Sequence, residues 1–136
     1  MKKLAGVVVL GLGMIFFTGC AKESNIENTY KNGVYEANGD KWEYGSEQAI
    51  VTIEDDKIKN IDLKRLDASG EEVDYDMWTG QEVEGKVFPN LKEYRISMKD
   101  EMIEKQTYDV DSIAGATVTT DNWKIAVQRA LEEAKN

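Results

Sequence analysis

The chain has 136 residues and a formal net charge of −9, enough for one domain and too few for two ordinary ones. It has no histidine and one cysteine, which excludes Ser-His-Asp and Cys-His catalysis, histidine-ligated haem, most zinc sites and an intramolecular disulfide. The acidic balance, without a basic stripe, argues against nucleic-acid binding.

Residues 1–19 predict an export signal. Lys2 and Lys3 precede an uncharged and mostly apolar run from Leu4 to Phe17, the pattern of the charged and apolar regions of a signal peptide. The run is too short for a comfortable membrane-spanning helix. An uncleaved anchor or a buried core helix is the alternative.

The segment Phe17-Thr18-Gly19-Cys20 resembles the lipobox of bacterial lipoproteins, in which the cysteine becomes the first mature residue and carries the lipid. Phe17 stands where leucine is usual. Cleavage before Cys20 leaves 15 basic residues against 26 acidic ones, a formal charge of −11. The resemblance implies lipid anchoring through Cys20 on the extracytoplasmic face of a bacterial membrane. Residues 20–32 are polar and are interpreted as a lipidated tether.

The folded part is predicted to span residues 33–136 and to begin with a strand over 33–37. The next stretch, QAIVTIEDDKIKNIDLKRL, is typical of a β-hairpin with its turn at residues 54–57. Its apolar face is predicted to comprise Ala49, Val51, Ile53, Ile58, Ile61 and Leu63. Residues 67–85 contain three glycines and are predicted to form a loop.

Two helices are predicted in the second half of the chain. Pro89-Asn90 opens the first, in which Leu91, Tyr94, Met98, Met102 and Lys105 recur at spacings of three and four. The second carries Trp123, Ala126, Val127, Ala130, Leu131 and Ala134 on one face, with Thr120 or Asp121 as its N-cap. Strands followed by helices indicate an α+β domain: a small antiparallel sheet with two main helices.

Two groups of side chains are candidate ligand sites. Glu71, Glu72, Asp74 and Asp76 could hold calcium, but Trp78 stands at a ligand position of the EF-hand pattern, so a solvated loop is the better interpretation and no metal site is predicted. Trp42, Tyr44, Trp78 and Trp123 could stack on a planar ring, although aromatic residues more often serve as core or surface anchors.

The stretch DSIAGATVTT, residues 111–120, is the sharpest signal in the sequence. Gly115 permits a positive φ or a close backbone approach. A helix N-terminus offers free N–H groups and favours a phosphate, and a hydroxyl beside it could be esterified to that phosphate. A loop followed by a simple helix cap is the alternative.

Asp111-Ser112-Ile113-Ala114-Gly115-Ala116-Thr117 resembles the flavinylation motif of FMN-binding domains, which runs Asp, two variable residues, Ser or Thr, Gly, Ala, Thr. Ala114 departs from that pattern. The family implies FMN joined covalently, by a phosphoester, to the final threonine, here Thr117, by a separate flavinyltransferase. The resemblance extends over about residues 33–135, through the Gly-x-Tyr strand at residue 33, the turn Asp55–Ile58 and the segment Ala126–Leu131.

The resemblance implies a membrane-anchored FMN-binding electron-transfer protein, more a carrier than a stand-alone enzyme. Its implied partners are the flavinyltransferase and redox proteins or a quinone-linked membrane complex. The cofactor-binding residues expected are Thr117, Gly115, Ala116, Asp111, Thr119, Thr120 and Trp123, with Thr119 and Thr120 as competing acceptors or phosphate contacts. No catalytic residue is expected.

Two other functions are compatible with the same residues. One is a non-flavinylated surface binding or immunogenic lipoprotein of the same fold, in which Ala114 reflects a lost modification site. The other is a reductase that binds FMN without a covalent bond. For the carrier, we expect the charge near −11 to disfavour the anionic reduced flavin and to lower its redox potential.

Overall fold

The computed structural model describes residues 29–135, and the folded unit spans Tyr30–Lys135. The predicted signal peptide, Cys20 and most of the predicted tether lie outside the described residues. Tyr30 forms a bridge with Lys135, and the Lys31 N–H donates to the carbonyl of Ala134 at 2.7 Å. The end of the predicted tether is therefore bonded to the end of the last helix.

The main sheet has three antiparallel strands in the order β1-β2-β3: β1 is Gly33–Asn38, β2 is Ser46–Glu54 and β3 is Lys57–Leu66. Asp55 and Asp56 form the β2–β3 turn with φ of 54° and 63°, the left-handed values that a tight hairpin turn needs. The predicted strands and hairpin are confirmed.

One face of the sheet carries the core. The alternate residues that the sequence analysis placed on this face are buried and at most 2% exposed: Ala49, Val51, Ile53, Ile58, Ile61 and Leu63. The spacing from Ile58 to Ile61 is three rather than two. A register shift beside Thr52 and Ile53 accommodates the extra residue, so both isoleucines reach the same face.

Two helices pack on the sheet. Helix α1 spans Leu91–Lys105 and packs on β3, and α2 spans Thr117–Ala134 and packs mainly on β1 and β2. The first helix opens after Pro89-Asn90 as predicted, and the Asn90 side chain caps it by accepting from the N–H of Glu93. The α+β class with a small antiparallel sheet and two main helices is confirmed. Within residues 29–135, neither helix is long and apolar enough to cross a membrane.

The segment between β3 and α1 folds over the end of the sheet. It contains a 3₁₀ turn at Tyr75–Met77 and a short hairpin of β4, Glu82–Val83, and β5, Lys86–Val87. The Tyr75 hydroxyl accepts from the Arg65 N–H at 2.9 Å and donates to Glu72 at 2.8 Å. This predicted loop is thus attached to β3 and forms a wall beside it.

The acidic cluster of that segment has structural partners. The Asp74 side chain accepts from the N–H of Asp76 and caps the 3₁₀ turn, and Asp76 pairs with Lys92 at 2.7 Å. The four acidic residues are exposed, as expected of a solvated loop.

Candidate functional site

A cavity of about 670 Å³ opens where β2 begins and β3 ends. Its wall combines the turn before β2, the end of β3, the segment between β3 and α1, and the first turn of α2. The volume falls within the range of about 300–1,000 Å³ that is usual for small-ligand sites.

Four aromatic side chains line this cavity: Trp42, Tyr44, Trp78 and Phe88. Trp42 and Tyr44 meet edge to face with ring centroids 5.5 Å apart, and the Trp78 and Phe88 centroids are 4.9 Å apart. Flat, largely apolar walls of this kind suit a planar aromatic ligand. The structure therefore brings together three of the four aromatic residues that the sequence analysis considered for stacking.

A buried cation completes the inner wall. The Arg65 side chain is 3% exposed, and its Cζ lies 5.1 Å from the Trp42 ring centroid and 5.8 Å from that of Trp78. Nη2 donates to the Tyr44 carbonyl at 3.0 Å, and Nη1 donates to the carbonyl of Leu66. The guanidinium is thus held in place by two carbonyls and two rings, within the distance of a cation–π contact.

Gly45 makes this arrangement possible. Its φ is +133°, and a Cβ built on it would lie 2.1 Å from the Leu66 carbonyl oxygen and 2.7 Å from Nη1 of Arg65. Trp42 and Gly45 exchange backbone hydrogen bonds of 2.8 and 3.1 Å. Only a residue without a side chain lets this turn approach the end of β3 so closely.

Glu47 lies behind Arg65 and is fully buried. Its carboxylate accepts from Trp42 Nε1 at 3.1 and 3.2 Å and from Asn122 Nδ2 at 3.0 Å. Arg65 Nε lies 3.4 Å from Oε2, close enough for an ion pair but not aligned for a hydrogen bond, and Nε has no other partner among the described residues. Glu47 therefore connects Arg65 to the turn before β2 and to α2.

Burial controls the ionisation of this pair. It raises the pKa of the Glu47 carboxyl, against the opposing effects of the Asn122 hydrogen bond and the Arg65 charge. Burial also lowers the pKa of the Arg65 guanidinium, against the opposing charge of Glu47. Because a guanidinium is a very strong base, Arg65 keeps its proton at neutral pH and remains a fixed positive charge.

The hairpin register places these two residues side by side. Glu47 is paired with Arg65, Ala49 with Leu63, and Val51 with Ile61. Glu47 and Arg65 therefore continue the core-facing rows of β2 and β3. Sequence reasoning missed both, although the signal was present: they stand two residues beyond apolar positions already assigned to the core face.

The hydroxyl-rich motif forms the start of α2. The helix begins at Thr117 and its N-cap is Ala116, with no side-chain cap bond. The prediction of Thr120 or Asp121 as N-cap is wrong, because Gly115, at φ 89°, turns the chain into the helix several residues earlier. The motif threonines thus lie in the first turn of α2 rather than in front of it.

The three threonines have different surroundings. Thr117 is exposed and lines the cavity, whereas Thr119 lines it but is only 6% exposed. Thr120 is fully buried; its hydroxyl donates to the carbonyl of Ala116 at 2.8 Å and accepts from the N–H of Ile113 at 3.1 Å. Thr120 therefore links the motif loop to the helix through hydrogen bonds. Thr117 carries the solvent-accessible hydroxyl.

The remaining residues of the predicted site divide into two groups. Gly115 and Ala116 line the cavity beside Thr117. Asp111 is exposed and is not among the cavity-lining residues. Trp123 is fully buried and its Nε1 donates to the carbonyl of Lys64 at 2.9 Å, so the structure places it in the core and not on the cavity wall.

A known protein family matches the larger part of this chain. Residues 44–132, well over half of the chain, match the family model of the FMN-binding domain. No curated protein matches the chain. A crystal structure of a Clostridium perfringens protein is similar, with 25% identity and a TM-score of 0.60 over 77% of this chain and 88% of that one.

A solution structure of a Clostridium thermocellum protein has the same fold, with 19% identity and a TM-score of 0.53 over 76% of this chain and 91% of that one. The match to the family model includes β2, β3, the cavity-lining residues from Tyr44 to Thr119 and the motif at the start of α2. The chain belongs to the family of FMN-binding domains.

Proposed function

We propose that the protein is an electron carrier, anchored by a lipid on Cys20 to the extracytoplasmic face of a bacterial membrane, with FMN joined to Thr117 by a phosphoester. The observation that carries the proposal is the position of Thr117. It is the exposed hydroxyl of the motif, it lines the cavity, and it lies in the first turn of an 18-residue helix.

The residues around the cavity fit an FMN group. The N–H groups of Thr117, Val118 and Thr119 have no acceptor within the helix, and the positive end of the helix dipole favours a phosphate attached at Thr117. Trp42, Tyr44, Trp78 and Phe88 offer apolar faces to a planar ring system, and Arg65 offers a charge. The bound flavin supplies the redox chemistry, and the chain orients it and tunes its electronics.

Attachment requires a separate enzyme. A threonine hydroxyl is a weak nucleophile without a neighbouring base, and the chain has no histidine. In the proposed transfer, Thr117 Oγ1 forms a bond to the flavin-side phosphorus of FAD, the pyrophosphate bond breaks, and AMP leaves with the hydroxyl proton. The protein gains FMN less one water.

A covalent bond and a lipid anchor suit a carrier outside the cytoplasm. A dilute cofactor held without a bond would be lost from its site, and the anchor keeps the flavin at a high effective concentration near membrane-bound redox partners. The proposed partners are redox proteins or a quinone-linked membrane complex.

The test is intact mass and in-gel flavin fluorescence of denatured protein after co-expression with a flavinyltransferase. We expect the wild type and Thr117→Ser to carry one FMN less one water, and Thr117→Ala to carry none. Thr119→Val is the matched control and should keep the flavin. Fluorescence that survives Thr117→Ala would move the ester to another threonine.

Two further outcomes decide between the alternatives. Flavin that co-purifies but is lost on denaturation supports a reductase with a noncovalent cofactor. Wild-type protein without any flavin supports a binding lipoprotein of the same fold.

A further inference from the structure

We propose that the buried pair Glu47–Arg65 sets the redox potential of the flavin: Arg65 presents a fixed positive charge to the ring, and Glu47 positions and partly neutralises that charge. The inference rests on the proposed function, since it requires the flavin to occupy the cavity. Both residues precede the attachment motif in the sequence by at least 46 positions.

The position of Arg65 is the first argument. Its guanidinium lines the cavity and lies between the Trp42 and Trp78 rings, 5.1 and 5.8 Å from their centroids. With only 3% of the side chain exposed, it can neither swing into solvent nor be screened by salt as a surface lysine can. A ligand ring among these aromatics would lie close to a cation whose place is fixed.

The chemistry of flavin reduction is the second argument. Two electrons from a donor protein and one proton from solvent convert the neutral oxidised ring into an anion at neutral pH. A cation beside the ring attracts the anionic state more strongly than the neutral one, so it favours reduction. Arg65 therefore raises the potential, opposite to the effect expected from the net charge of the chain.

Glu47 is the counter-charge. It is fully buried and reaches Arg65 Nε at 3.4 Å, while Trp42 and Asn122 donate hydrogen bonds to it. These bonds fix the carboxylate and hence the guanidinium. Because a carboxylate paired with the guanidinium partly cancels the positive charge of the arginine, removing the Glu47 charge raises the potential further.

The experiment is a spectroelectrochemical titration of the full chain carrying its flavin, at pH 7. Glu47→Gln should raise the midpoint potential. The double variant Glu47→Gln with Arg65→Met should have a lower midpoint potential than Glu47→Gln. The expected difference is at least about tenfold in the reduction equilibrium, which is about 30 mV for a two-electron couple. Glu47 is replaced in both variants, so no buried carboxylate is left without its partner and the comparison isolates the Arg65 charge. The single variant Arg65→Met is therefore not needed.

Two controls separate charge from structure. Arg65→Lys keeps the positive charge and should retain most of the wild-type potential. Lys86→Met removes an exposed cation that also lines the cavity, and its smaller shift should vanish at high salt because solvent ions screen it. The Arg65 effect should persist at high salt.

Flavin content is measured first by mass and fluorescence of the denatured variants. If wild-type protein carries no flavin, the proposed function and this inference both fail. If the flavin is attached and the double variant matches Glu47→Gln within the error of the titration, the inference alone is overturned. A salt-sensitive Arg65 effect would also overturn it.

Discussion

Replacing Glu47 by alanine should destabilise the fold strongly, because it breaks a buried ion pair from one side. The change leaves the Arg65 charge in the core with two carbonyl acceptors. It also removes the acceptor of Trp42 Nε1 and one of the two acceptors of Asn122 Nδ2, which keeps the carbonyl of Asp40. Removing one member of a buried pair costs about 3–5 kcal/mol. Each donor left without an acceptor costs up to about 1–3 kcal/mol, a loss that overlaps with the first.

The expected loss in the free energy of unfolding is therefore about 3–5 kcal/mol. At about 4–8 °C per kcal/mol for a domain of this size, the melting temperature should fall by more than about 12 °C. Urea and thermal unfolding followed by tryptophan fluorescence and circular dichroism would measure both. Glu36→Ala is the matched control: it removes an exposed carboxylate of β1 that bonds only Gln48 within the described residues, and we expect about 0.5 kcal/mol or less.

The double variant Glu47→Leu with Arg65→Met tests the origin of the loss. It replaces both charges by apolar side chains, and buried pairs replaced in this way often change stability little. We therefore expect it to be more stable than Glu47→Ala. The reasoning is refuted if Glu47→Ala unfolds like Glu36→Ala, or if the double variant loses the sum of the two single losses.

Three further predictions concern the same fold. Because burial raises the folded-state pKa of Glu47 above 4.5, the stability of the wild type relative to Glu47→Gln should grow as pH falls from neutral towards 4.5; a constant difference in urea titrations would contradict this. Trp123→Phe should lower the free energy of unfolding by about 1–3 kcal/mol, because it leaves the partly buried Lys64 carbonyl without this donor. Flavin attachment per folded molecule should stay unchanged in the mass assay, and a specific loss of flavin would place Trp123 in the site. Gly45→Ala should lower the melting temperature far more than Gly70→Ala, since both have positive φ but only the Gly45 Cβ meets backbone, at 2.1 Å; equal losses would show that φ alone decides.

The placement of the aromatic residues shows where sequence patterns lose their predictive value. Trp42 and Tyr44 lie in a turn, while Trp78 and Phe88 lie in the segment between β3 and α1. These segments have no hydrophobic period, because they consist of turns and a short hairpin rather than long regular strands or helices. Trp123 was predicted both on the apolar face of α2 and among the cofactor-binding residues, and the structure buries it in the core, as its helical period indicates.

The sequence by itself determined the sheet, the two helices and the family. Apolar residues that recur every two positions in the strands, and every three to four in the helices, specify which face of each element is buried. The motif at residues 111–117 is specific enough to indicate an FMN-binding domain. The apolar pattern also implies the bulge in β3. Ile58 and Ile61 are three residues apart, so they can share one face only if β3 contains one extra, unpaired residue between them.

Only the tertiary structure brings the side chains of the site together, and it adds Arg65 and Glu47 to those that the sequence had indicated. The bulge shifts the register so that Glu47 is opposite Arg65 instead of Lys64, and Gly115 starts α2 early enough to expose Thr117 and bury Thr120. The cavity then arises where four separate segments meet. Local propensity cannot specify such a meeting, because its energy comes from burial and from hydrogen bonds between residues as far apart as Glu47 and Asn122.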